Sequence, residues 1–411
     1  MQAETILPKT EKKKNTALEM LERIPKAGIR NFWYPAAQSK KLKSKPMAIL
    51  LLGERLVLLR DPKSGAVAAL EDRCPHKGTV LSYGRSYFPG TISCPYHGWT
   101  FDRRGECVAV LSEGPDSKVP GTVRIRSYPT REYRGVIFVF VGEVEPPPLE
   151  EDVPAEFFDA SYIFETEVAT WEHNWEQGQE NNLDTSHAQV LHRHSFFYFF
   201  AKLPAWVRVG ARVMKDGKGV GTYYEEAGPF ECEYPNLGHY SNNRFWKVGG
   251  PLGGKGRYKA VPDKANPDKE RFANATRLPC WRVADLGGML FMAAAVPVDG
   301  ERTAHWAFLF KRASGFAALR FRLYHHMWLS WAMCRLFIGE DRRILERMEK
   351  EPKDQYLYLN DVGIIAWRKL VLRAQAERAS RPLRGVGEGS THAQLEGLPQ
   401  AQLTERQLEA V

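Results

Sequence analysis

Between Phe32 and Val141, apolar residues come in short runs that are separated by polar and glycine-containing turns. Short apolar runs bounded by turn residues predict β-strands. The predicted strands are Pro46–Leu52, Glu54–Arg60, Ala66–Asp72, Ile92–Pro95, Thr100–Phe101 and Val136–Val141. We therefore expect a small all-β domain, preceded by a short amphipathic helix at Ala17–Ile24.

A proline-rich, acidic segment, Glu143–Pro154, follows these strands. Its four prolines and five acids form neither a strand nor a helix interior. We place a domain boundary here and predict domains at 28–145 and 155–383. Residues 384–411 are rich in Gly, Gln and Glu, which predicts a mobile tail.

After the boundary, longer apolar stretches predict mixed helices and strands, so the whole chain is expected to be α+β. The second half of Thr166–Gln189 and most of Lys311–Arg378 are predicted to be helical. Strands are predicted at Arg208–Tyr224, Met289–Val298 and Ala304–Phe310.

The most apolar stretch is Phe321–Ile338, but it carries arginine and histidine residues and is too polar for a bilayer-spanning helix. We interpret it as a core helix with Trp328 and Trp331 packed inward. Weak association with a membrane surface is the minor alternative. We predict no transmembrane segment, and the polar, lysine-rich start at Met1–Thr16 predicts neither a secretory signal nor an anchor.

The cysteine count and the net charge indicate the cellular compartment and the character of the protein surface. Six cysteines in 411 residues are too few for a disulfide framework, which favours a reducing, cytoplasmic location. The net charge of +9 is concentrated at Lys40–Lys45 and in the arginine-rich stretch after residue 311. These residues form either a solvated face or a surface that attracts an acidic protein or anionic lipid. No nucleic-acid-binding motif accompanies them, so we expect no nucleic-acid partner.

Two short motifs each bring one cysteine and one histidine to a loop. Cys74-Pro-His76 is followed, after seventeen residues, by Cys94-Pro-Tyr-His97. Two thiolates and two imidazoles suit a Rieske [2Fe–2S] cluster, in which one iron takes both cysteines and the other takes both histidines. The same residues form a zinc ligand set, but zinc fingers usually pair cysteine with cysteine along the chain. We therefore predict a Rieske cluster, with structural zinc as the alternative.

A second set of metal-ligating residue types begins with Asp184, His187 and His192. The two histidines can face one metal if a helix ends or bulges between them, and Asp184 precedes His187 by about one turn. Two histidines and one carboxylate hold non-haem Fe(II) and leave positions open for O₂. From a distant amphipathic helix we predict Asp341 as the third ligand, with Glu340 as the alternative, because a core-facing acid is costly unless it is bound to a metal.

Aromatic residues are dense just after His192, at Phe196–Phe200 and Leu203–Trp206. They predict an apolar wall for a bulky, flat substrate, with ordinary core packing as an equal alternative. Arg193 or Arg208 is available to hold a substrate carboxylate. Among the other histidines, we expect His173 and His194 either to support the iron site or to be packed. The remaining ones are expected to be structural or exposed: His239, His305, His325, His326 and His392.

With both motif sets in this order, residues 28–350 resemble the oxygenase (α) component of Rieske non-haem iron oxygenases. The resemblance implies an all-β Rieske domain joined to a helix-grip catalytic domain, assembled as a homotrimer. It implies that Cys74, His76, Cys94 and His97 hold the cluster and that His187, His192 and Asp341 hold the iron. Asp184 matches the family's bridging aspartate, which would join His187 to a cluster histidine of the next subunit, His97 by preference. Asn181 matches an asparagine found near the iron in the monooxygenase branch, and the surrounding residues resemble the dicamba-monooxygenase type.

The implied function is that of a terminal oxygenase with a [2Fe–2S] cluster, a mononuclear Fe(II) and O₂ as co-substrate. No nicotinamide or flavin motif is present, so we expect electrons from a separate ferredoxin, NAD(P)H-dependent reductase, or both. Hydroxylation or oxidative demethylation of a steroid-like, polycyclic or aromatic substrate is favoured over aromatic cis-dihydroxylation. The alternative from another class is a Rieske electron-transfer or redox-sensing protein, which needs no second iron.

Overall fold

The computed structural model describes residues 16–192, 195, 206–228, 233–234, 238–239, 274–285 and 288–384. Its helices are α1 Thr16–Glu22, α2 Trp175–Leu183, α3 Gly315–Tyr324, α4 Ile338–Leu345 and α5 Val362–Ala379. The first ten strands are β1 Phe32–Gln38, β2 Met47–Leu51, β3 Glu54–Arg60, β4 Val67–Glu71, β5 Ile92–Ser93, β6 Trp99–Phe101, β7 Cys107–Val110, β8 Ser127–Tyr128, β9 Thr130–Tyr133 and β10 Val136–Val141. The others are β11 Tyr162–Trp171, β12 Trp206–Val213, β13 Gly219–Gly228, β14 Glu233–Tyr234, β15 Gly238–His239, β16 Asn274–Arg277, β17 Trp281–Asp285, β18 Leu290–Pro297 and β19 Thr303–Arg312.

These elements form two compact units. The small unit contains Leu42–Ala48 and Leu56–Tyr128, with the described Arg384. The large unit contains the described parts of Met1–Lys41, Ile49–Arg55 and Pro129–Leu383. The domain limits expected from sequence, 28–145 and 155–383, stay predictions.

The small unit is built on short antiparallel strands. The order of one sheet is β2-β3-β4-β8, with β4, β8 and most of β3 in this unit, and the order of the other is β5-β6-β7. Alternating apolar residues of these strands close a core that also contains three cysteines. The residues buried in it include Val57, Leu59, Leu70, Cys74, Leu81, Ile92, Cys94, Phe101 and Cys107. The two cysteine loops are therefore held in place by packing of their cysteines in this apolar core.

The large unit contains a seven-stranded antiparallel sheet with the order β11-β19-β18-β17-β16-β13-β12 and a smaller sheet, β1-β10-β9. Phe157 is fully buried, and its ring meets Phe164, Phe308 and Phe310 at centroid distances of 5.2, 5.6 and 6.0 Å. Such edge and tilted ring contacts add to the stabilisation from burial alone. With the helices, this gives an all-β domain followed by a sheet-and-helix domain, so the predicted fold class is confirmed.

Helix α2 is fixed from several sides. Its N-cap is Asn174, whose backbone N–H donates to the Gln177 side-chain oxygen at 3.1 Å. Glu180 accepts two hydrogen bonds from Arg368 of α5, at 2.7 and 2.9 Å, and the Arg368 side chain is fully buried. A buried, bidentate ion pair of this kind holds the two helices in one relative position. Removing either partner would leave the other as an unpaired buried charge. The end of α2 is thereby held in place.

Most predicted elements are present, but the strand predicted at Arg208–Tyr224 is wrong as a single element. It is the hairpin β12–β13, in which Val213 pairs with Val220. Gly217 adopts a φ of +68° between the strands, and the Asp216 carboxylate accepts the Lys218 N–H at 3.0 Å. Asp-Gly is a strong turn signal, and here it lies in the polar stretch Lys215–Lys218.

The expectation that Trp328 and Trp331 pack inward is also wrong, because they are 38% and 46% exposed. The buried stripe of this segment instead consists of Phe321, His325, Leu329 and Met333, four residues apart. A four-residue spacing suits the π-helical turns that the chain forms at His325–Leu329 and Trp331–Phe337. Within the described part of the chain, no helix combines the length and apolar character needed to cross a bilayer.

Candidate metal centres

The two Cys-His loops of the small unit repeat one geometry. In the first, the Cys74 N–H donates to the Thr79 carbonyl at 2.8 Å, and the Gly78 N–H donates back to the Cys74 carbonyl at 2.9 Å. In the second, the Cys94 N–H donates to the Trp99 carbonyl at the same distance, 2.8 Å. Each loop is thus closed by its own backbone and presents its cysteine and histidine on a tight turn.

The thiols of Cys74 and Cys94 are buried and form no disulfide. Burial, with a smaller contribution from the neighbouring Cys94, raises the pKa of Cys74 to about 12. Two thiolates side by side in an apolar pocket need a cation to balance them. This environment suits a metal cluster, which deprotonates the thiols that bind it.

The two histidines lie together on the outer side. The ring centroids of His76 and His97 are 4.7 Å apart, and Trp99 stacks on His76 at 5.2 Å. The Nδ1 atom of His97 is buried and has no hydrogen-bond partner among the described residues. A buried imidazole nitrogen without a partner is costly, and a metal bond satisfies it. All four predicted cluster residues therefore lie in one unit, with donor chemistry that suits a [2Fe–2S] cluster.

Gly98 and Gly78 provide a matched test of this loop geometry. Both have positive φ values, +69° and +73°. A Cβ on Gly98 would lie 2.6 Å from Leu111 Cβ, whereas one on Gly78 would meet only Arg73 Nε at 3.9 Å. Both alanine variants carry the left-handed strain of about 1 kcal/mol, but only Gly98→Ala adds a clash. We expect Gly98→Ala to lose most of its cluster absorbance per protein chain and Gly78→Ala to retain most of it. Equal cluster content in the two variants would contradict this account.

The second predicted set converges in the large unit. Helix α2 ends at Leu183 with Asp184 as its C-cap, and Thr185–Gln189 forms a 3₁₀ turn that carries His187, with His192 further along the chain. Asp341 lies in the first turn of α4, and its side chain is buried. The 3₁₀ turn ends between His187 and His192, so the break that two histidines five apart require lies after Gln189.

The distances within this set are short. Asp341 Oδ1 is 3.4 Å from His187 Nε2 and 3.3 Å from His192 Nε2. Ligand atoms of the three residues all lie within 4.8 Å of one another. Two imidazoles and a carboxylate on one side of an ion leave its other positions open. The residues present suit the mononuclear iron that the resemblance implies.

Glu340, the alternative third ligand, occupies a different position. Its Oε2 atom is 2.7 Å from His192 Nδ1, the nitrogen that faces away from Asp341. The ring of Phe337 stacks on His192 at 4.3 Å. A carboxylate on the far nitrogen of a metal-binding histidine fixes the tautomer and the ring orientation. The sequence showed two adjacent acids but not which histidine nitrogen each would meet.

Asp341 also accepts a hydrogen bond from Asn181 Nδ2 at 3.2 Å, so Asn181 lies next to the predicted ligands. Burial raises the pKa of Asp341, but hydrogen bonds from His187 and His192 outweigh it and bring the pKa below its usual value. For His192, burial lowers the pKa and the bonds to Asp341 and Glu340 more than compensate, so the pKa is raised. The carboxylate is therefore charged at neutral pH, as a metal ligand must be.

Asp184 lies on the other side of His187. Its Oδ2 atom is 3.9 Å from His187 Nδ1, and its Oδ1 atom accepts the N–H of Ser186 at 3.0 Å. The Ser186 hydroxyl also donates to Asp184 and lies 2.8 Å from the Tyr358 hydroxyl. Nothing in the sequence pointed to Tyr358, because a lone tyrosine far along the chain carries no motif.

His173 lies near this centre as part of a histidine pair. Its Nε2 atom is 2.7 Å from His305 Nε2, and the His305 ring stacks on Trp171 at 3.7 Å. Burial lowers the pKa of His173 to about 4 and holds the pKa of His305 well below its usual value. Both rings are therefore neutral at pH 7. The predicted aromatic wall at Phe196–Phe200 and Leu203–Trp206, with Arg193 and His194, lies outside the residues whose side chains the structure describes.

The class of protein follows from both centres and the family comparisons. Residues 32–129 match the Rieske [2Fe-2S] domain and residues 140–226 match the homotrimeric ring hydroxylase model. The chain has the domain content and order of the oxygenase component of Rieske oxygenases, which confirms the resemblance inferred from its motifs.

Individual relatives point the same way. The terminal oxygenase component of carbazole 1,9a-dioxygenase from a Sphingomonas species is 39% identical over 173 residues, which is 41% of this chain and 45% of that protein. The oxygenase component of dicamba O-demethylase from Stenotrophomonas maltophilia is 34% identical over 169 residues, 40% of this chain and 48% of that protein. The matched stretch therefore spans less than half the length of these relatives.

A solved structure covers more of the fold. The oxygenase in the reduced complex between oxygenase and ferredoxin in carbazole 1,9a-dioxygenase superposes with a TM-score of 0.71 at 25% identity, over 94% of this chain and 98% of that one. The similarity in fold thus extends well beyond the stretch that is similar in sequence.

Proposed function

We propose that this protein is the terminal oxygenase of a multicomponent system, with a Rieske cluster held by Cys74, His76, Cys94 and His97. The convergence of His187, His192 and Asp341 is the observation that carries the proposal, because an electron carrier needs no second metal set. When bound, the mononuclear Fe(II) supplies O₂ activation. The chain's own residues supply ligand geometry and orientation.

Three neighbours of the ligands have distinct tasks in this proposal. Glu340 holds His192 from the far nitrogen, so that Nε2 points toward Asp341. Asn181 donates to the Asp341 carboxylate and thereby fixes which oxygen faces the two histidines. Asp184, whose side chain is 29% exposed, places a negative charge 3.9 Å from His187 Nδ1 and can contact a second group. These contacts set the ligand positions before substrate enters.

A head-to-tail trimer is part of the proposal, because heterologous contacts that close form a ring. In such a ring, the cluster of one subunit serves the iron of the next, and Asp184 joins His187 to His97 of the neighbour. The match of residues 140–226 to a homotrimeric ring hydroxylase supports this arrangement. The presence of a separate β subunit is not required.

For the reaction, we favour hydroxylation or oxidative demethylation of a bulky, apolar, flat substrate. Asn181 beside Asp341 and the similarity to a dicamba O-demethylase support this choice. Aromatic cis-dihydroxylation is the second candidate, favoured by the similarity to a carbazole 1,9a-dioxygenase. Counting oxygen atoms in the product separates the two reactions.

A separate ferredoxin, with its NAD(P)H-dependent reductase, is the proposed electron donor, supported by the similar oxygenase that was solved in complex with a ferredoxin. The basic surface lysines suit an acidic partner of this kind. We place the protein in the cytoplasm, where free cysteines such as Cys107 and Cys280 stay reduced.

The decisive experiment measures O₂ uptake and product formation by the purified protein with a generic ferredoxin and reductase, across flat aromatic and steroid-like compounds. We expect O₂ consumption that is coupled to an oxygenated product for at least one compound class, and an iron content of about three per chain. A protein with about two irons and a reversible cluster spectrum, but no coupled turnover, would be an electron carrier instead. A colourless zinc protein would refute both readings.

A further inference from the structure

The edge strand β11 carries two carboxylates on its helix-covered face. Ile163, Glu165 and Glu167 point to the same side because side chains of a strand alternate. Ile163 packs against the core beneath the π-helical segment, together with Phe321 and Leu329. Glu165 and Glu167 therefore lie where apolar side chains are expected, and each needs a polar partner.

A hydrogen bond from the Ser330 hydroxyl at 2.8 Å accounts for the placement of Glu167 on this face. Glu165 has two cationic neighbours, Arg322 Nε at 3.5 Å and His326 Nε2 at 3.6 Å. Both distances are long for hydrogen bonds, and Arg322 and His326 are themselves mostly exposed. Exposed ion pairs of this length contribute little to stability. They do not account for the placement of Glu165.

His325, between these groups, is the unexplained residue. It is only 1% exposed, and neither of its ring nitrogens has a hydrogen-bond partner in the described part of the chain. A buried neutral imidazole normally satisfies at least one nitrogen, since leaving both unpaired costs free energy. Its ring lies edge-on to His326 with centroids 5.2 Å apart. The ring nitrogens of His325 are therefore available to bind a ligand that is not a protein group.

One ligand atom each from Glu165, His325 and His326 lies within 4.8 Å of the other two. We propose that these three side chains form a further metal site, which binds Zn²⁺. Two imidazole nitrogens and one carboxylate oxygen are zinc ligands, with water completing the tetrahedron. Among first-row ions, such a set binds Zn²⁺ more tightly than Fe²⁺.

The consequence of occupation is structural. Glu165 belongs to the edge strand of the seven-stranded sheet, whereas both histidines belong to the π-helical segment after α3. A bound ion would join the two by coordinate bonds and satisfy His325. Because the folded state alone presents this geometry, the ion would raise the melting temperature.

The test uses the tag-free holoprotein, incubated with ZnCl₂, desalted and measured for zinc and iron. We compare the parent with Glu165→Gln and His326→Gln, which replace half-buried and exposed donors and leave His325 in place. Arg322→Gln is the matched control. It removes one of the two ion-pair partners of Glu165 but none of the three proposed metal ligands. His187→Ala removes a donor of the other centre.

We expect about one zinc per chain and a zinc-dependent rise in melting temperature in the parent, Arg322→Gln and His187→Ala. Glu165→Gln and His326→Gln should lose the bound zinc and the zinc-dependent rise in melting temperature, while their iron content should not change. Zinc that persists in those two variants but disappears in His187→Ala would place it at the other centre and overturn the proposal. Absence of zinc from the parent would overturn it as well. Neither outcome bears on oxygenase activity, which is measured separately.

Discussion

Replacing Asp341 with alanine should remove the mononuclear iron and reduce product formation at least a thousandfold, while the cluster spectrum stays intact. The variant loses the only group that contacts both His187 Nε2 and His192 Nε2 among the described side chains of this set. Two neutral imidazoles alone bind Fe(II) weakly, because the charge of the carboxylate and one of three donors are gone. Iron should fall from about three to about two per chain.

Glu340→Gln is the matched control, one residue away on the same helix. Its amide oxygen can still accept a hydrogen bond from His192 Nδ1, where the carboxylate now lies at 2.7 Å. We expect iron to be retained and turnover to fall by about tenfold, the lower range for a group that orients a metal ligand. If Glu340→Gln loses the iron and Asp341→Ala keeps it, the third ligand has been assigned to the wrong acid.

Asp184→Asn should keep both metals but lower turnover by one to two orders of magnitude, about the effect expected for a group that orients a metal ligand. Asparagine can preserve the bonds from Ser186 through its oxygen, at 3.0 Å from the Ser186 nitrogen in the parent. Its amide nitrogen would then face His187 Nδ1, where a carboxylate oxygen now lies 3.9 Å away. The negative charge that lies 3.9 Å from His187 Nδ1 is lost.

Single-turnover measurements locate this defect. When the cluster is reduced beforehand and substrate and O₂ are added, the rate of cluster reoxidation should be far lower in Asp184→Asn than in the parent. Ser186→Ala, which removes a hydrogen bond to Asp184 but no charge, should show a much smaller change. Cluster oxidation and product formation at the parent rate in Asp184→Asn would refute the bridging role.

Residue type and spacing predicted which side chains lie together at the two candidate centres. The Cys-His loops were predictable because cluster chemistry needs two thiolates and two imidazoles, and His187 with His192 because a metal needs both on one side of a broken helix. Glycine and proline marked the strands of the small unit. Asp341 was predicted from the cost of burying an acid, and it lies beside His187 and His192, while its role as an iron ligand stays a prediction.

What residue type and spacing did not predict depended on three-dimensional contacts. Glu340 meets the far nitrogen of His192, and Tyr358 meets Ser186, through pairings that no local pattern records. Trp328 and Trp331 were placed inward because tryptophan is usually buried, whereas the π-helical turns rotate a different stripe toward the sheet. Apolar content predicts that a helix has a buried face but not which residues form it when the helical period changes.

The buried pair between Glu180 and Arg368 has a consequence for biosynthesis. Glu180 precedes Asn181 and lies in the last turn of α2, from which Asp184 emerges, while Arg368 is contributed by α5, nearly two hundred positions downstream. During translation, the segment with His187 leaves the ribosome long before its anchoring arginine exists. We therefore expect the end of α2 to be fixed in place only after α5 has been synthesised, and a protein truncated before Val362 to lack this anchor.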